Sequence, residues 1–246
     1  MNEELLKFYN DRKDQISSNA TNLDLQKAKN EFNLHSNLAR YSYNFSWMGR
    51  PIIAYPQDMI AMQERIWEVK PDLIIEAGIA HGGSLVYYAS ILELIGEEGE
   101  VLGIDIDIRE HNRELIQSHP MFKRIQMIEG SSIDISIANK VYDIARNKKR
   151  ILLCLDSNHT HDHVLAELNL YARLVTKGSY CVVFDTIVEY LPKDYMIGGR
   201  PWNPGNNPKT AVDAFLNVNS DFQVDTSIDN KLLIGVAPGG YLKKIR

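Results

Sequence analysis

The chain has 246 residues, of which 44% are hydrophobic and 24% charged, so it can bury a full core as one large domain or as a domain with an appendage. Its formal net charge of −5 argues against nucleic acid as a main partner, because phosphate binding requires clustered Lys and Arg. The first residues are acidic and lack the apolar segment of a signal peptide, and no apolar run approaches the roughly 20 residues that span a bilayer. We therefore expect a cytoplasmic protein without a membrane span.

The first 70 residues are predicted to form a helical extension. Residues 1–40 are polar with scattered Leu and Phe, which suits one or two exposed helices. Residues 41–50 begin with four aromatic side chains within seven positions, a density too high for a plain linker. Apolar side chains at helical spacing predict a helix over residues 57–69, which Pro71 ends. We predict that residues 1–70 form an N-terminal extension and substrate lid, and that residues 71–246 form the main domain.

Residues 71–185 alternate regularly between strand and helix patterns. Apolar runs predict strands at residues 73–77, 101–105, 125–129, 151–156 and 180–185. Helical patterns lie between and after them, at residues 83–95, 111–118, 135–147 and 163–175. Apolar strands that alternate with helices are typical of a parallel sheet covered on both faces. Cys154 and Cys181 fall inside two of these strands, so we expect buried free thiols.

The C-terminal part changes pattern. A loop rich in Pro, Gly and Asn over residues 191–208 precedes a helix predicted at residues 209–218. Two closing apolar runs at residues 222–227 and 232–237, joined by the short connection 228–231, predict an antiparallel hairpin. Five parallel strands and this hairpin give an α/β fold of the Rossmann-like class I methyltransferase type: a seven-stranded, mostly parallel sheet with an antiparallel last strand, plus the helical and aromatic N-terminal extension.

An acidic, glycine-containing turn follows the first strand of this sheet. Its order is Glu76-x-Gly78-x-x-x-Gly82-Gly83, whereas dinucleotide-binding folds use G-x-G-x-x-G to bring backbone amides onto a pyrophosphate. The carboxylate of Glu76 would repel a pyrophosphate, but it suits a cofactor with a ribose and a cationic amino-acid end. S-adenosylmethionine is the common cofactor of that kind, and we predict that the turn binds it.

Polar residues at several strand ends can be assigned to parts of this cofactor. Glu76 would take the ammonium group, and the glycines and serine that begin the next helix would offer free backbone amides. Asp105, or Asp107 two residues later, would accept the ribose hydroxyls, and Ser131 would flank the adenine. The alternative is that the glycines only permit a tight turn between strand and helix. The predicted cofactor contacts are Glu76, Gly78, Gly82, Ser84, Asp105, Asp107, Ser131 and Asp156.

The ends of the fourth and fifth predicted strands carry the residues that suit chemistry. Asp156 and Asp185 would be neighbours in a doubly wound sheet and could hold a divalent cation, most plausibly Mg²⁺, through hard oxygen ligands. His159, three residues after Asp156, is a candidate base for a hydroxyl acidified by that cation, and both are candidate catalytic residues. His159, His161 and His163 could instead form a zinc cluster, although the latter two also suit structural roles at the start of a helix.

These residues together resemble the cephalosporin hydroxylase family of S-adenosylmethionine-dependent O-methyltransferases, which also includes rhamnosyl methyltransferases. The resemblance covers most of the chain. The matching motifs are Tyr41-Ser-Tyr-Asn-Phe-Ser-Trp47, Gly49-Arg-Pro-Ile-Ile53, Tyr55-Pro-Gln-Asp58, Glu76-Ala-Gly-Ile-Ala-His-Gly-Gly-Ser84, Asp105-Ile-Asp-Ile-Arg109, Leu155-Asp-Ser-Asn-His-Thr-His-Asp-His163 and Pro201-Trp-Asn-Pro-Gly-Asn-Asn-Pro-Lys209.

The resemblance implies Mg²⁺-assisted transfer of a methyl group to a hydroxyl of a sugar, glycan precursor or secondary metabolite. By the same resemblance, Asp156 and Asp185 match metal-ligand positions, and His159 matches the base of related macrolide-sugar methyltransferases. One departure concerns the metal shell: some relatives have two consecutive acids where this chain has Phe184 and Asp185. Water, substrate or Glu189 would then complete the shell.

The acceptor is expected to be a small molecule or carbohydrate, and the sequence does not identify it. Tyr43, Trp47, Arg50, His81 and Trp202 are the candidate substrate residues, because aromatic faces suit sugars and Arg50 could pair with a nucleotide diphosphate. Packing of the N-terminal region onto the domain is the alternative role for the aromatic segment, which would also suit a homo-oligomer. Two other functions stay open: a non-catalytic scaffold that binds S-adenosylmethionine, and a hydroxylase that depends on iron and oxygen.

Overall fold

The computed structural model describes residues 2–192 and 199–246 of the chain. The helices are α1 (Glu3–Asn19), α2 (Leu23–Leu38), α3 (Pro56–Val69), α4 (Gly83–Ile95), α5 (Glu110–Gln117), α6 (Ile135–Ala145), α7 (His161–Tyr171), α8 (Pro208–Val218) and α9 (Thr226–Leu232). The strands are β1 (Phe45–Trp47), β2 (Arg50–Ile52), β3 (Leu73–Ala77), β4 (Glu100–Asp105), β5 (Ile125–Glu129), β6 (Ile151–Leu155), β7 (Tyr180–Val183), β8 (Phe222–Val224) and β9 (Tyr241–Lys244).

Seven strands form one twisted sheet in the order β5-β4-β3-β6-β7-β9-β8. The first five in that order are parallel, and β9 lies antiparallel between β7 and β8. The strand order reverses direction at β3 and β6, whose carboxyl ends therefore lie side by side and leave a crevice for a ligand. The predicted fold class, with its seven strands and antiparallel last strand, is confirmed.

Each face of the sheet is covered by helices, as the apolar strands predicted. One face packs against α3, α4 and α5, and the other packs against α6, α7 and α8. Alternate residues of β6 divide between these two cores: Leu152 and Cys154 face the first, while Leu153 faces the second. Both cysteines are buried and unpaired, as expected. None of the helices within residues 2–192 and 199–246 has the length and apolarity needed to cross a bilayer.

The N-terminal region contains two helices, an aromatic turn and a small antiparallel hairpin of β1 and β2. Asn19 at the end of α1 donates to the carbonyl of Asn230, and Ser36 of α2 hydrogen-bonds the buried hydroxyl of Tyr55 over 2.8 Å. The indole of Trp47 donates to Ser90 over 2.9 Å and packs edge-on against Tyr87. The region is thereby attached to the face of the sheet that carries α4.

The predicted closing hairpin was wrong in its second strand and its connection. Residues 228–231 lie in helix α9 because Asp225 caps that helix, and its carboxylate accepts from the backbone and hydroxyl of Ser227. Residues 232–237 are the last residue of α9 and an irregular segment, and the true last strand is Tyr241–Lys244. In this strand the backbone of Lys243 pairs with Tyr180 on one side and Gln223 on the other.

Candidate active site

The residues that follow β3, β6 and β7 are drawn together by hydrogen bonds that continue the sheet. The amide of Gly78 donates to Ile104 over 2.8 Å, and that of Asp156 donates to Ala77 over 2.8 Å. The amide of Phe184 donates in turn to Leu155 over 3.0 Å. A cavity of about 390 Å³ opens at this edge, lined from the N-terminal region, the glycine turn and the ends of β6 and β7.

The glycine turn is packed too closely to carry side chains. Gly78 has a φ of +99°, and a Cβ placed on it would lie 2.1 Å from the carbonyl oxygen of Asp156. A Cβ on Gly83 would lie 2.1 Å from the carbonyl oxygen of Pro51, so the first turn of α4 rests directly on β2. Gly82 precedes α4 with a φ of +78° and packs against Ile116. These glycines therefore do more than permit a turn, because they bring backbone against backbone at the cavity wall.

Glu76 is a buried acid in that wall. Its side chain is 1% exposed, lines the cavity, and accepts a hydrogen bond from Ser84 over 2.7 Å. Burial raises the pKa of Glu76 to about 8, against the opposing hydrogen bond from Ser84, and nearby Asp156 raises it further. A buried carboxyl group with so high a pKa would ionise most readily beside a cation.

The predicted ribose and adenine contacts have other partners in this structure. Asp105 accepts from the backbone amides of Ile79 over 2.8 Å and Ala80 over 3.3 Å, so it fixes the glycine turn. Asp107 is exposed and lies 4.0 Å from Arg109. Ser131 is half-buried just after β5. Asp105, Asp107 and Ser131 stay predictions as cofactor contacts.

Asp156, His159 and Asp185 form a compact cluster on the cavity floor. Their candidate ligand atoms all lie within 4.8 Å of one another, a spacing that suits a divalent cation. The Nδ1 of His159 lies 2.8 Å from Asp185, although not in hydrogen-bond alignment, and its Nε2 lies 3.4 Å from Asp156. Asp185 has a left-handed backbone with φ of +54°, an uncommon conformation that directs its carboxylate to this point.

Burial and charge act in opposite directions on these three groups. Burial disfavours the charged imidazolium, but the carboxylates of Asp185 and Asp156 outweigh that effect and raise the pKa of His159 to about 10. Burial raises the pKa of Asp156 to about 6. For Asp185, the charge of His159 outweighs burial and lowers the pKa below its usual value. Without a bound cation, the cluster therefore holds a charged imidazole between two acids.

Glu189 was one candidate to complete the metal shell, and the structure gives it a different role. Its carboxylate accepts from the backbone of Gly205 over 2.8 Å and from the side chain of Asn207 over 2.5 Å. Glu189 therefore holds the loop that precedes α8. The structure does not support the alternative zinc cluster either, because His161 and His163 have other partners. His161 hydrogen-bonds Thr210 over 2.8 Å, and His163 lies 3.1 Å from Ser132.

The five candidate substrate residues divide into two groups. Tyr43, His81 and Trp202 line the cavity, and the ring of Trp202 lies 4.8 Å from that of His159. Trp47 instead packs on α4, as described above. Arg50 is buried and donates to the carbonyl of His81 over 3.0 Å and to Asn112 over 3.0 Å, so it braces the glycine turn instead of facing an acceptor.

Sequence patterns missed several residues that the structure brings to the site. Asp58 lines the cavity although it is only 2% exposed, and burial raises its pKa to about 7 against the hydrogen bond from Val236. Glu167, fully buried in α7, accepts from the hydroxyls of Ser132 over 2.5 Å and Ser157 over 2.6 Å. An acid inside an otherwise apolar helical face was the one available signal for Glu167, since buried charge requires partners.

Two comparisons of sequence identify relatives of most of the chain. Residues 39–245 match the protein family described as Rhamnosyl O-methyltransferase/CmcI. A rhamnosyl O-methyltransferase of Mycobacterium bovis is 33% identical over 189 residues, which cover 75% of this chain and 72% of that protein. A rhamnosyl O-methyltransferase of Mycobacterium leprae is 30% identical over 201 residues, covering 80% of this chain and 82% of the relative.

Comparison of structures gives the same fold. A solved structure of CmcI with Mg and SAM superimposes with a TM-score of 0.56 at 19% identity, covering 83% of this chain and 78% of CmcI. At that level of identity the likeness concerns the fold alone.

Proposed function

The chain belongs to the Rhamnosyl O-methyltransferase/CmcI family, and we propose that it is an S-adenosylmethionine-dependent, Mg²⁺-assisted O-methyltransferase that acts on a hydroxyl of a sugar or secondary metabolite. The observation that carries the proposal is the joint position of Glu76 and the cluster of Asp156, His159 and Asp185 on one cavity. The residues that would hold the cofactor and those that would hold a cation then face the same space, as cation-assisted methyl transfer requires.

The wall of the cavity fits the amino-acid end of S-adenosylmethionine. Glu76 is a buried carboxyl that accepts a hydrogen bond from Ser84 and forms no salt bridge within the described residues, so an ammonium group would supply the missing charge partner. Gly78 lines the cavity and lacks a Cβ that would clash with the backbone of Asp156, and α4 begins at the same wall. Backbone amides of a helix start suit the cofactor's carboxylate. The solved structure of CmcI with Mg and SAM supports this assignment.

The cluster on the floor fits Mg²⁺ by the chemistry of its donors. Asp156 and Asp185 offer hard oxygens, and the buried Nδ1 of His159 has no aligned hydrogen-bond partner among the described residues. The set contains one imidazole and two carboxylates, which differs from the two-histidine, one-carboxylate set typical of iron oxygenases. This difference favours methyl transfer over hydroxylation.

Mechanistically, S-adenosylmethionine held at Glu76 and the glycine turn would supply the methyl group and leave as S-adenosylhomocysteine, and Mg²⁺ held by Asp156 and Asp185 would lower the pKa of the acceptor hydroxyl. Asp156 and Asp185 fix where that hydroxyl lies, and the cavity walls exclude water and hold its oxygen in line with the methyl group. His159 removes the hydroxyl proton at one ring nitrogen. His159 must be neutral to act as a base. A cation between Asp156 and Asp185 would offset the negative charge that raises the pKa of His159.

Two measurements test the proposal. Isothermal titration should show S-adenosylmethionine binding at one site per chain, and methyl transfer from labelled cofactor to sugars and glycans should require Mg²⁺ and be lost in EDTA. A chain that does not bind the cofactor contradicts the proposal outright. Cofactor binding without turnover on any acceptor, unchanged by Mg²⁺ or EDTA, would instead support the non-catalytic scaffold.

A further inference from the structure

The mouth of the cavity carries positive charge on two arginines. Arg40 and Arg200 both line the cavity and both are exposed, although the chain as a whole has a net charge of −5. With Tyr43 and Trp202 they form what we call the rim. The floor below the rim is acidic, and consists of Glu76, Gly78, Asp156, His159 and Asp185.

The rim residues contact one another. The guanidinium of Arg40 lies 6.0 Å from the centre of the Tyr43 ring, and that of Arg200 lies 5.3 Å from the centre of the Trp202 ring. Arg200 also donates to the Tyr43 hydroxyl over 3.4 Å, so Tyr43 contacts both arginines. Neither arginine forms a salt bridge with a carboxylate within residues 2–192 and 199–246, although the charge of Arg200 helps to lower the pKa of Asp185. Both guanidinium groups can therefore contact a ligand at the mouth.

The backbone helps to aim Arg40 at the cavity. It lies just after α2 in a left-handed conformation with φ of +52°, and its amide donates to Asn37 over 3.0 Å. A non-glycine residue held there marks a fixed reversal of the chain. A flexible basic segment would not require such a fixed backbone conformation.

Guanidinium groups and aromatic rings in this arrangement have a specific ligand chemistry. Arg presents a planar fork that matches the oxygens of phosphate and carboxylate groups, and aromatic faces suit the C–H surface of a sugar. An uncharged sugar would have no need for two guanidinium groups. An anionic one would be repelled by the acidic floor unless a cation at the mouth held its charged end there.

We propose that the acceptor is an anionic sugar, whose phosphate or carboxylate group is bound at the rim by Arg40 and Arg200 while its hydroxyl reaches the floor. This proposal rests on the proposed function and names the substrate class of that site. Arg50 was the residue expected to contact an anion, but it donates to His81 and Asn112. The proposal therefore assigns that contact to Arg40 and Arg200.

The test compares matched acceptors. Isothermal titration of UDP-glucose, methyl glucuronide and methyl glucoside, with the cofactor product bound, distinguishes phosphate, carboxylate and neutral ligands. We expect at least one anion to bind 10-fold or more tightly than methyl glucoside, and that advantage to fall about 10-fold to 100-fold in Arg40→Gln/Arg200→Gln. Arg12→Gln is the control, because Arg12 also stacks on a tyrosine, 5.0 Å from the ring of Tyr9.

Two results would overturn the proposal: no preference for either anion in the natural chain, or the same preference in the double variant. Relative turnover from labelled S-adenosylmethionine on the same three compounds gives a second reading, and higher ionic strength should weaken the anion preference. Titration with S-adenosylmethionine alone separates the two proposals. If the chain binds the cofactor but shows no anion preference, only the assignment of the rim is wrong. If it does not bind the cofactor, the proposed function is wrong.

Discussion

The floor of the cavity consists of buried and half-buried residues that follow neighbouring strands, whereas the rim consists of exposed and half-buried side chains supplied by two segments far apart in the chain. On the floor, the backbone of Gly78 contacts that of Asp156, and Glu76 is 1% exposed. At the rim, Tyr43 is 49% exposed, and its contact with Arg200 joins residues 157 positions apart. The floor is thus positioned by the sheet, and the rim by side-chain contacts between loops.

The difference indicates how one fold can serve several acceptors. A substitution on the floor leaves a buried charge or a backbone clash, and both are costly in free energy. A substitution at the rim changes an exposed contact, which usually costs little stability. Cofactor chemistry can therefore stay constant while the rim changes with the acceptor. The following experiments test whether the floor and the rim separate in this way.

The largest effect is expected at His159. Removal of a general base typically lowers turnover by about 100-fold to 10,000-fold, and His159→Ala should do so while the affinity for S-adenosylmethionine is kept. His161→Ala is the matched control, because His161 bonds Thr210 and should change turnover far less. Steady-state kinetics and cofactor titration measure both. Unchanged turnover in His159→Ala would remove it as the base.

The glycine turn provides the next test, since it compares close packing with backbone conformation alone. Gly78→Ala places a Cβ 2.1 Å from a carbonyl oxygen, and we expect the free energy of unfolding to fall by about 2–5 kcal/mol, with loss of cofactor binding. Gly96→Ala is the control, with φ of +78° but nothing within 4 Å, and should cost about 1–2 kcal/mol. Equal losses on denaturant unfolding would mean that the close approach at Gly78 is unimportant.

The floor could be predicted from the sequence because the geometry of a parallel sheet positions its residues. Parallel strands end at one edge, so acids and glycines after β3, β6 and β7 had to meet there. The rim could not be derived in this way, because no periodicity relates residue 43 to residue 200. Arg50 illustrates the same limit: its residue type suited an anion, and only the fold shows that His81 and Asn112 occupy its donors.

The prediction of a closing hairpin was wrong for a local reason. An apolar run over residues 232–237 indicated a strand, but Asp225 begins a helix directly before it, and the cap determines the path of the chain. The two lysines of β9 concealed the true strand, because a strand between two others was expected to be apolar throughout. At this point the capping residue determines the local structure more strongly than composition does.

Glu76 tests whether the floor gives up stability for binding. Its folded pKa of about 8 lies above the ordinary value, so the folded state holds a proton that the unfolded chain releases, and stability falls as pH rises from about 4.5 through 8. Glu76→Gln should make the cofactor-free protein more thermally stable at pH 8 and reduce that pH dependence. Affinity for S-adenosylmethionine should fall about 10-fold to 100-fold, because a charged hydrogen-bond partner is lost.

Exposed Glu98→Gln is the control for this change, and thermal unfolding at pH 6 and pH 8 with cofactor titration measures it. Cofactor binding to the natural chain should also release a proton at pH 7, which titration in buffers of different ionisation enthalpy detects. Full affinity in Glu76→Gln would remove the ammonium assignment.

Glu167 should give the smallest effect, and it asks how far the floor extends. Its carboxylate joins the loop after β5 to the loop after β6 through Ser132 and Ser157, and it does not line the cavity. Both hydroxyls donate to the same oxygen, Oε1, so in Glu167→Gln the amide oxygen can keep both bonds. The new NH2 would replace Oε2, a buried oxygen with no hydrogen-bond partner among the described residues, and this unsatisfied donor should cost about 1–3 kcal/mol of stability. Because those loops flank the predicted adenine site, KM for the cofactor should rise a few-fold while kcat is kept. Asp162→Asn on the same helix is the control, and a fall in kcat with unchanged KM would assign Glu167 to the reacting end instead.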